Sequence, residues 1–199
     1  MKQIKLTVPD KWGDITVRQY QDFMKILDST KREKTKTIDI VSLFCGVDKN
    51  VLKKMAYEDL KKVANILTQM TSQDPSEIKL KKHVKFKSAD YSVIPNMSKM
   101  TTGEFVDLES YCEDASANMH KIMAVLYRRQ IDKTDRFGRY KIEQYEPTHE
   151  KKEEMKDFPM DCALGVINFF FHLGGKLLVS SSNYLQKQKK GQKKEAVAE

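Results

Sequence analysis

The sequence predicts an α+β, mostly helical fold made of two pseudo-repeats, each opening with a short strand and a capped helix, with small β-hairpins between and within them. Three observations carry this reading. First, Thr16 precedes Gln19, and Thr101 precedes Glu104, at the spacing of a capping box. The hydroxyl accepts the free N–H of the third helical residue while the Gln or Glu side chain reaches back to the cap. Second, Ile15 with Tyr20, and Met100 with Phe105, sit just before the cap and at the fourth helical position, spaced for a hydrophobic staple. Third, apolar residues elsewhere recur at helical spacing, broken by short alternating runs.

In chain order, Ile4, Leu6 and Val8 alternate with Lys5 and Thr7 as a strand does, and Pro9 ends the pattern before the first box. The first helix runs to about Leu27 with Tyr20, Phe23, Met24 and Leu27 on one face, and a polar loop spans Ser29 to Thr37. Ile38 to Phe44 is apolar nearly all round, which predicts a buried helix, and Gly46 suits its C-cap. A segment from Asp48 leads into a helix over Tyr57 to Met70. Thr71 to Ser76 is polar with Pro75, a boundary composition. Val84 and Phe86, then Tyr91 and Val93, alternate across Lys87–Asp90 as a hairpin would, and Val93-Ile94-Pro95 precedes the second box as Val8-Pro9 precedes the first.

After the second box, a helix through Met119, Ile122, Met123, Val125 and Leu126 follows. Residues 128–146 turn polar around Phe137-Gly138-Arg139-Tyr140, predicting a hairpin or lid-like insertion. Ala163 to Val179 is the greasiest helix, and Phe169, Phe170 and Phe171 in a row cannot all face one side of it. The organisation expected is a first repeat at 1–70, a linker at 71–77, a second repeat at 78–185 and a disordered basic tail at 186–199.

The chain of 199 residues is long enough to bury a substantial core as one domain or two small ones. Its net charge of +8 includes +3 from the tail, and the remaining basic residues are interspersed with acids, the pattern of a solvated surface. Cys45, Cys112 and Cys162 lack C-x-x-C spacing and read as buried thiols of a reducing cytosol. The first nine residues lack the apolar run of a signal peptide. Ala163–Val179, interrupted by Asn168, His172 and Lys176, is shorter than the roughly 20 apolar residues of a membrane span.

Chemistry is sparse. His83, His120, His149 and His172 are not paired with one another or with Cys at ligand spacing, so no metal is expected. No phosphate-cradling glycine motif occurs, so no cofactor is expected either. Glu153, Glu154, Asp157 and Asp161 read as a solvated charged face, and the chain is not expected to be an enzyme. Lys187, Lys189, Lys190, Lys193 and Lys194 are weak candidates for nucleic-acid binding, set against a merely solubilising tail without arginine or aromatics.

Pro9 to Thr16 leading into Gln19-Tyr20, Leu126-Tyr127-Arg128, Phe137 to Ile142, and Pro159 to Gly165 leading into Phe169-Phe170-Phe171 together resemble a family of virion-morphogenesis proteins encoded by tailed bacteriophages, of the tail-assembly-chaperone or baseplate-assembly kind. The resemblance spans most of the chain. It implies a non-enzymatic factor, at work in the host-cell cytoplasm, that binds a tail or other virion protein during assembly, or alternatively a permanent component of the virion. On that reading Trp12, Tyr127, Phe169, Phe170 and Phe171 are the aromatic candidates for the partner contact, although Trp12, beside an element end, is read first as an indole that closes one end of the core. Met24, Met55, Met119, Met123 and Met160 would add an adaptable surface or simply fill the core.

Overall fold

The computed structural model of the chain describes residues 5–132 and 134–170. It is α+β and mostly helical. The helices are α1 (Val17–Asp28), α2 (Glu33–Cys45), the short α3 (Lys49–Leu52), α4 (Tyr57–Thr71), α5 (Thr102–Cys112), α6 (Ala115–Leu126), α7 (His149–Glu154) and α8, described over residues 160–170. Strands β1 (His83–Phe86), β2 (Ala89–Val93) and β3 (Tyr127–Arg129) form one antiparallel sheet in that order. Among the described residues no helix is long and apolar enough to cross a membrane.

Both capping boxes form. Thr16 Oγ1 accepts the Gln19 N–H at 3.2 Å, and Gln19 Oε1 accepts the Thr16 N–H at 2.9 Å. The second box closes the same way through Thr101 and Glu104, with 3.3 and 2.6 Å. Each box satisfies two backbone donors that a helix start leaves open. Gly46 ends α2 at φ 64, the left-handed conformation that costs glycine nothing and a residue with a Cβ roughly 1–2 kcal/mol.

The repeat extends well beyond the boxes. A 3-10 turn precedes each helix, at Trp12–Asp14 and Met97–Lys99, in the same 85-residue register as the two threonines. That register persists to the end of the next helix. Gln19 donates through Nε2 to the Leu43 carbonyl at 3.2 Å, and Glu104 binds Arg128, the residue equivalent to Leu43, at 2.7 Å. In both repeats the third residue of the capped helix thus tethers the end of the following one.

One expected element is absent from the first repeat. Lys5–Asp10 form no strand, although they match β2 in register. Their burial alternates, with Leu6 and Val8 half-buried and Lys5 and Thr7 exposed. The period-2 signal therefore marks an extended, half-buried segment. Among the described residues it has no partner strand, because the counterpart of β3 is still helical in α2, which runs on to Cys45. α2 also starts at Glu33, within the stretch expected to be loop.

The repeats pack through α1 against α6 and share one apolar core. α6 is buried from Met119 to Leu126, with His120 among them and only Lys121 half-buried, and continues directly into β3. Phe158 is fully buried and gathers Phe86, Tyr91 and Tyr127 around its ring at 4.7, 5.6 and 5.4 Å. The chain ends of the core are stitched together, Val17 N–H to the Phe158 carbonyl at 3.0 Å and Met160 N–H to the Ile15 carbonyl at 2.9 Å. The insertion after β3 is a hairpin, paired at Ile131 N–H to Lys141 O and Glu143 N–H to Arg129 O, both 2.9 Å, and turning at Gly138 with φ 75.

Candidate functional site

The aromatic residues expected to contact a partner divide into two groups. Trp12 and Tyr127 are interior, 5% and 0% exposed. The Trp12 ring meets Tyr20 edge-on at 6.0 Å, sealing the first repeat's staple. Tyr127 donates its hydroxyl to the Lys81 carbonyl, and burial pushes its pKa up, so that proton stays in place. Neither ring offers surface in this arrangement. Phe169 and Phe170 do, while Phe171 and the tail lysines Lys187, Lys189, Lys190, Lys193 and Lys194 lie outside the described residues. As successive helical residues must, the two phenylalanines diverge: Phe169 is 41% exposed and Phe170 packs against the core.

Both line an apolar groove of about 780 Å³. Its floor and walls include Val93, Ile94, Met97, Met100, Phe105 and Tyr140. Each element brings its residue here for a local reason. β2 ends at Val93, and Pro95 cannot donate to a ladder, so the chain leaves the sheet. The Met97–Lys99 turn is held by Asn96, whose side chain accepts the Ser98 N–H at 3.0 Å. Tyr140, at the hairpin tip, donates its hydroxyl to the Val93 carbonyl at 2.8 Å and sets its ring edge-on to His83 at 4.7 Å. Burial raises the pKa of Tyr140, which keeps that donor protonated.

The groove exists because the second staple is left open. Phe105 stands where Tyr20 stands in the first repeat, and Met97 where Trp12 stands. The thioether of Met97 is too small to do what the indole does, and Phe105 remains 55% exposed. α8 spans both places. Its start is tied to Ile15, and Gly13 approaches Asp161 so closely that a Cβ there would lie 2.7 Å from the carboxylate, while its Phe169 end forms the groove's far wall.

The charged side chains lining the groove, Lys82 and Arg139, are both cationic. Arg139 is paired with Asp135 at 2.8 Å; Lys82 is exposed and makes no ion pair among the described residues. Such a surface can bury apolar and aromatic groups and favour a carboxylate at its edge. Among the described residues its lining holds no Cys, His or carboxylate side chain. The thiols elsewhere are not activated either: burial pushes Cys162 up to about 12 and raises Cys45 and Cys112. Among the described residues no cluster of His, Cys, Asp and Glu is placed to hold a metal ion.

Sequence reasoning singled out Phe169 and Phe170 from their run of three, and gave no role to Met97, Met100, Phe105 and Tyr140, which line the same groove. A signal was present for Phe105: its staple lacks the tryptophan that precedes the first. Searches against family models, curated proteins and solved structures found no match to this chain.

Proposed function

We propose that the chain is a non-enzymatic assembly factor that binds an apolar segment of a tail or other virion protein of a tailed bacteriophage while the particle is built, in the cytoplasm of the host cell. The observation that supports this reading is the open groove between α5, the Met97–Lys99 turn, the hairpin tip and the end of α8, with Phe105 and Phe169 exposed on it. Exposed apolar surface gathered into a walled trough suits reversible capture of another chain. The resemblance carried by Pro9–Thr16, Leu126–Arg128, Phe137–Ile142 and Pro159–Gly165 supplies the biological setting.

The test is quantitative mass spectrometry of the protein in purified particles and in infected-cell lysate, together with the partners that co-purify from lysate. Abundance in lysate, near absence from particles and one dominant virion-protein partner are the expected result. A fixed copy number in particles would make it a structural component instead. Loss of that partner with Phe105→Asp would tie the association to the groove.

A further inference from the structure

Resting on that partner-binding reading, we infer that the groove takes a tryptophan side chain carried on an acidic segment of the partner, seated against Phe105 as Trp12 is seated against Tyr20. The protein contains its own template for the occupant. In the first repeat the staple aromatic is covered by an indole from the adjoining 3-10 turn, leaving Trp12 5% exposed. In the second, the same turn carries Met97, and Phe105 is open to a trough of about 780 Å³.

Charge selects the flanks of the segment. Among the described residues Lys82 and Arg139 are the charged side chains lining the groove; Arg139 is paired with Asp135, so Lys82 supplies the uncompensated positive charge of the rim. A ligand with aspartates beside its tryptophan gains attraction at this rim, whereas a basic one is repelled. The internal template is net acidic as well: Trp12 sits in Asp10-Lys11-Trp12-Gly13-Asp14, where Lys11 pairs with Asp14 at 3.7 Å and Asp10 keeps the excess negative charge. An aromatic anchor in a walled pocket with a polar rim is also the arrangement in which few residues carry most of the binding energy.

The experiment uses the full chain and a fluorescein-labelled synthetic peptide with a single central tryptophan between aspartates, followed by fluorescence anisotropy. Saturable one-to-one binding is expected. Replacing the peptide's tryptophan with alanine, or introducing Phe105→Asp in the protein, weakens it at least tenfold. Met97→Trp, which supplies the covering indole from within, does the same while keeping the fold intact by circular dichroism. Lys82→Glu weakens binding several-fold, and more at low salt than at high. The inference is overturned if the peptide fails to bind, or if the alanine peptide binds equally well. Displacement of the probe by a peptide of residues 171–185 would assign the groove to the chain's own C-terminal stretch, and a Phe105-dependent dimer in sedimentation would assign it to a second copy. Either outcome overturns the inference. A Phe105-dependent virion-protein partner that nevertheless lacks an acidic tryptophan segment would refute this ligand chemistry while leaving the assembly reading standing.

Discussion

Glu104 serves the cap and an ion pair at once, and separating the two gives a sharp test of how the second repeat is held. Its Oε2 accepts the Thr101 N–H at 2.6 Å, and its Oε1 lies 2.7 Å from Arg128 Nη2. The two side chains are only 5% and 10% exposed, and Arg128 Nε already has no hydrogen-bond partner among the described residues. Glu104→Gln preserves the cap, since Gln19 closes the same box in the first repeat. It removes the carboxylate that, among the described residues, pairs with the buried Arg128 guanidinium. Breaking a buried pair from one side costs about 3–5 kcal/mol. The new amide oxygen still accepts one N–H, so the expected loss is about 2–3 kcal/mol. The double variant Glu104→Gln with Arg128→Leu recreates the first repeat's Gln19–Leu43 pairing and leaves no buried charge at this position. Apolar replacement of a buried pair is often neutral, so this variant should return to within about 1 kcal/mol of the parent. Urea unfolding at neutral pH, with slopes of about 2 kcal/mol per molar, would show the single variant's midpoint lower by roughly 1 M and the double variant's largely restored. A single variant that loses under about 1 kcal/mol, or a double variant no better than the single, would refute the reasoning.

Three further perturbations follow from the core. His120 is 8% exposed and is held neutral, its pKa lowered to about 4 first by burial and then by nearby cations, chiefly Lys156. The unfolded chain takes up this proton near pH 6.5 and the folded chain does not, so the stability is complete above pH 6.5 and falls by roughly 1–2 kcal/mol by pH 5; urea midpoints across that range should flatten in His120→Gln. Asp39, 4% exposed, is held below the usual carboxylate range by hydrogen bonds from Lys31 and Lys49, each at 2.6 Å. Its contribution is present above about pH 4 and is lost as pH falls through the depressed folded value, so Asp39→Asn should cost roughly 1–3 kcal/mol at pH 7, the lysines being half-exposed, and show a shallower acid decline. Gly165 lets α8 lie against residues 79–80, where a Cβ would come 2.6 Å from the Lys79 carbonyl oxygen, so Gly165→Ala should destabilise by about 1–3 kcal/mol in thermal melts.

How far the sequence could be read depended on the range of the forces involved. Thr16–Gln19 and Thr101–Glu104 were legible because a capping box is closed within four residues. Gly46 and the β1–β2 hairpin were legible for the same local reason. Leu6 and Val8 show the limit: alternation reports extended backbone and burial, but pairing needs a neighbour supplied from elsewhere. The groove lay further out of reach. Phe105 has the same local sequence role as Tyr20, and its exposure follows from a methionine in the preceding turn together with walls contributed by Tyr140 and Phe169. The packing of Trp12 was legible from a large aromatic beside an element end, whereas the burial of Tyr127 was decided by Phe158, which only the fold brings to it.

The hydrogen bonds joining Ile15 and Val17 to Phe158 and Met160 place the two ends of the core in a single seam. A ribosome delivers the N-terminal side first, and a twelve-residue helix such as α1 is marginal by itself. The seam at Ile15 and Val17 therefore stays open until Phe158 and Met160 have been synthesised. A message cut short before the Phe158 codon would yield no half-working product. It would release a chain with an unclosed apolar seam, to be recognised and cleared by cellular proteases.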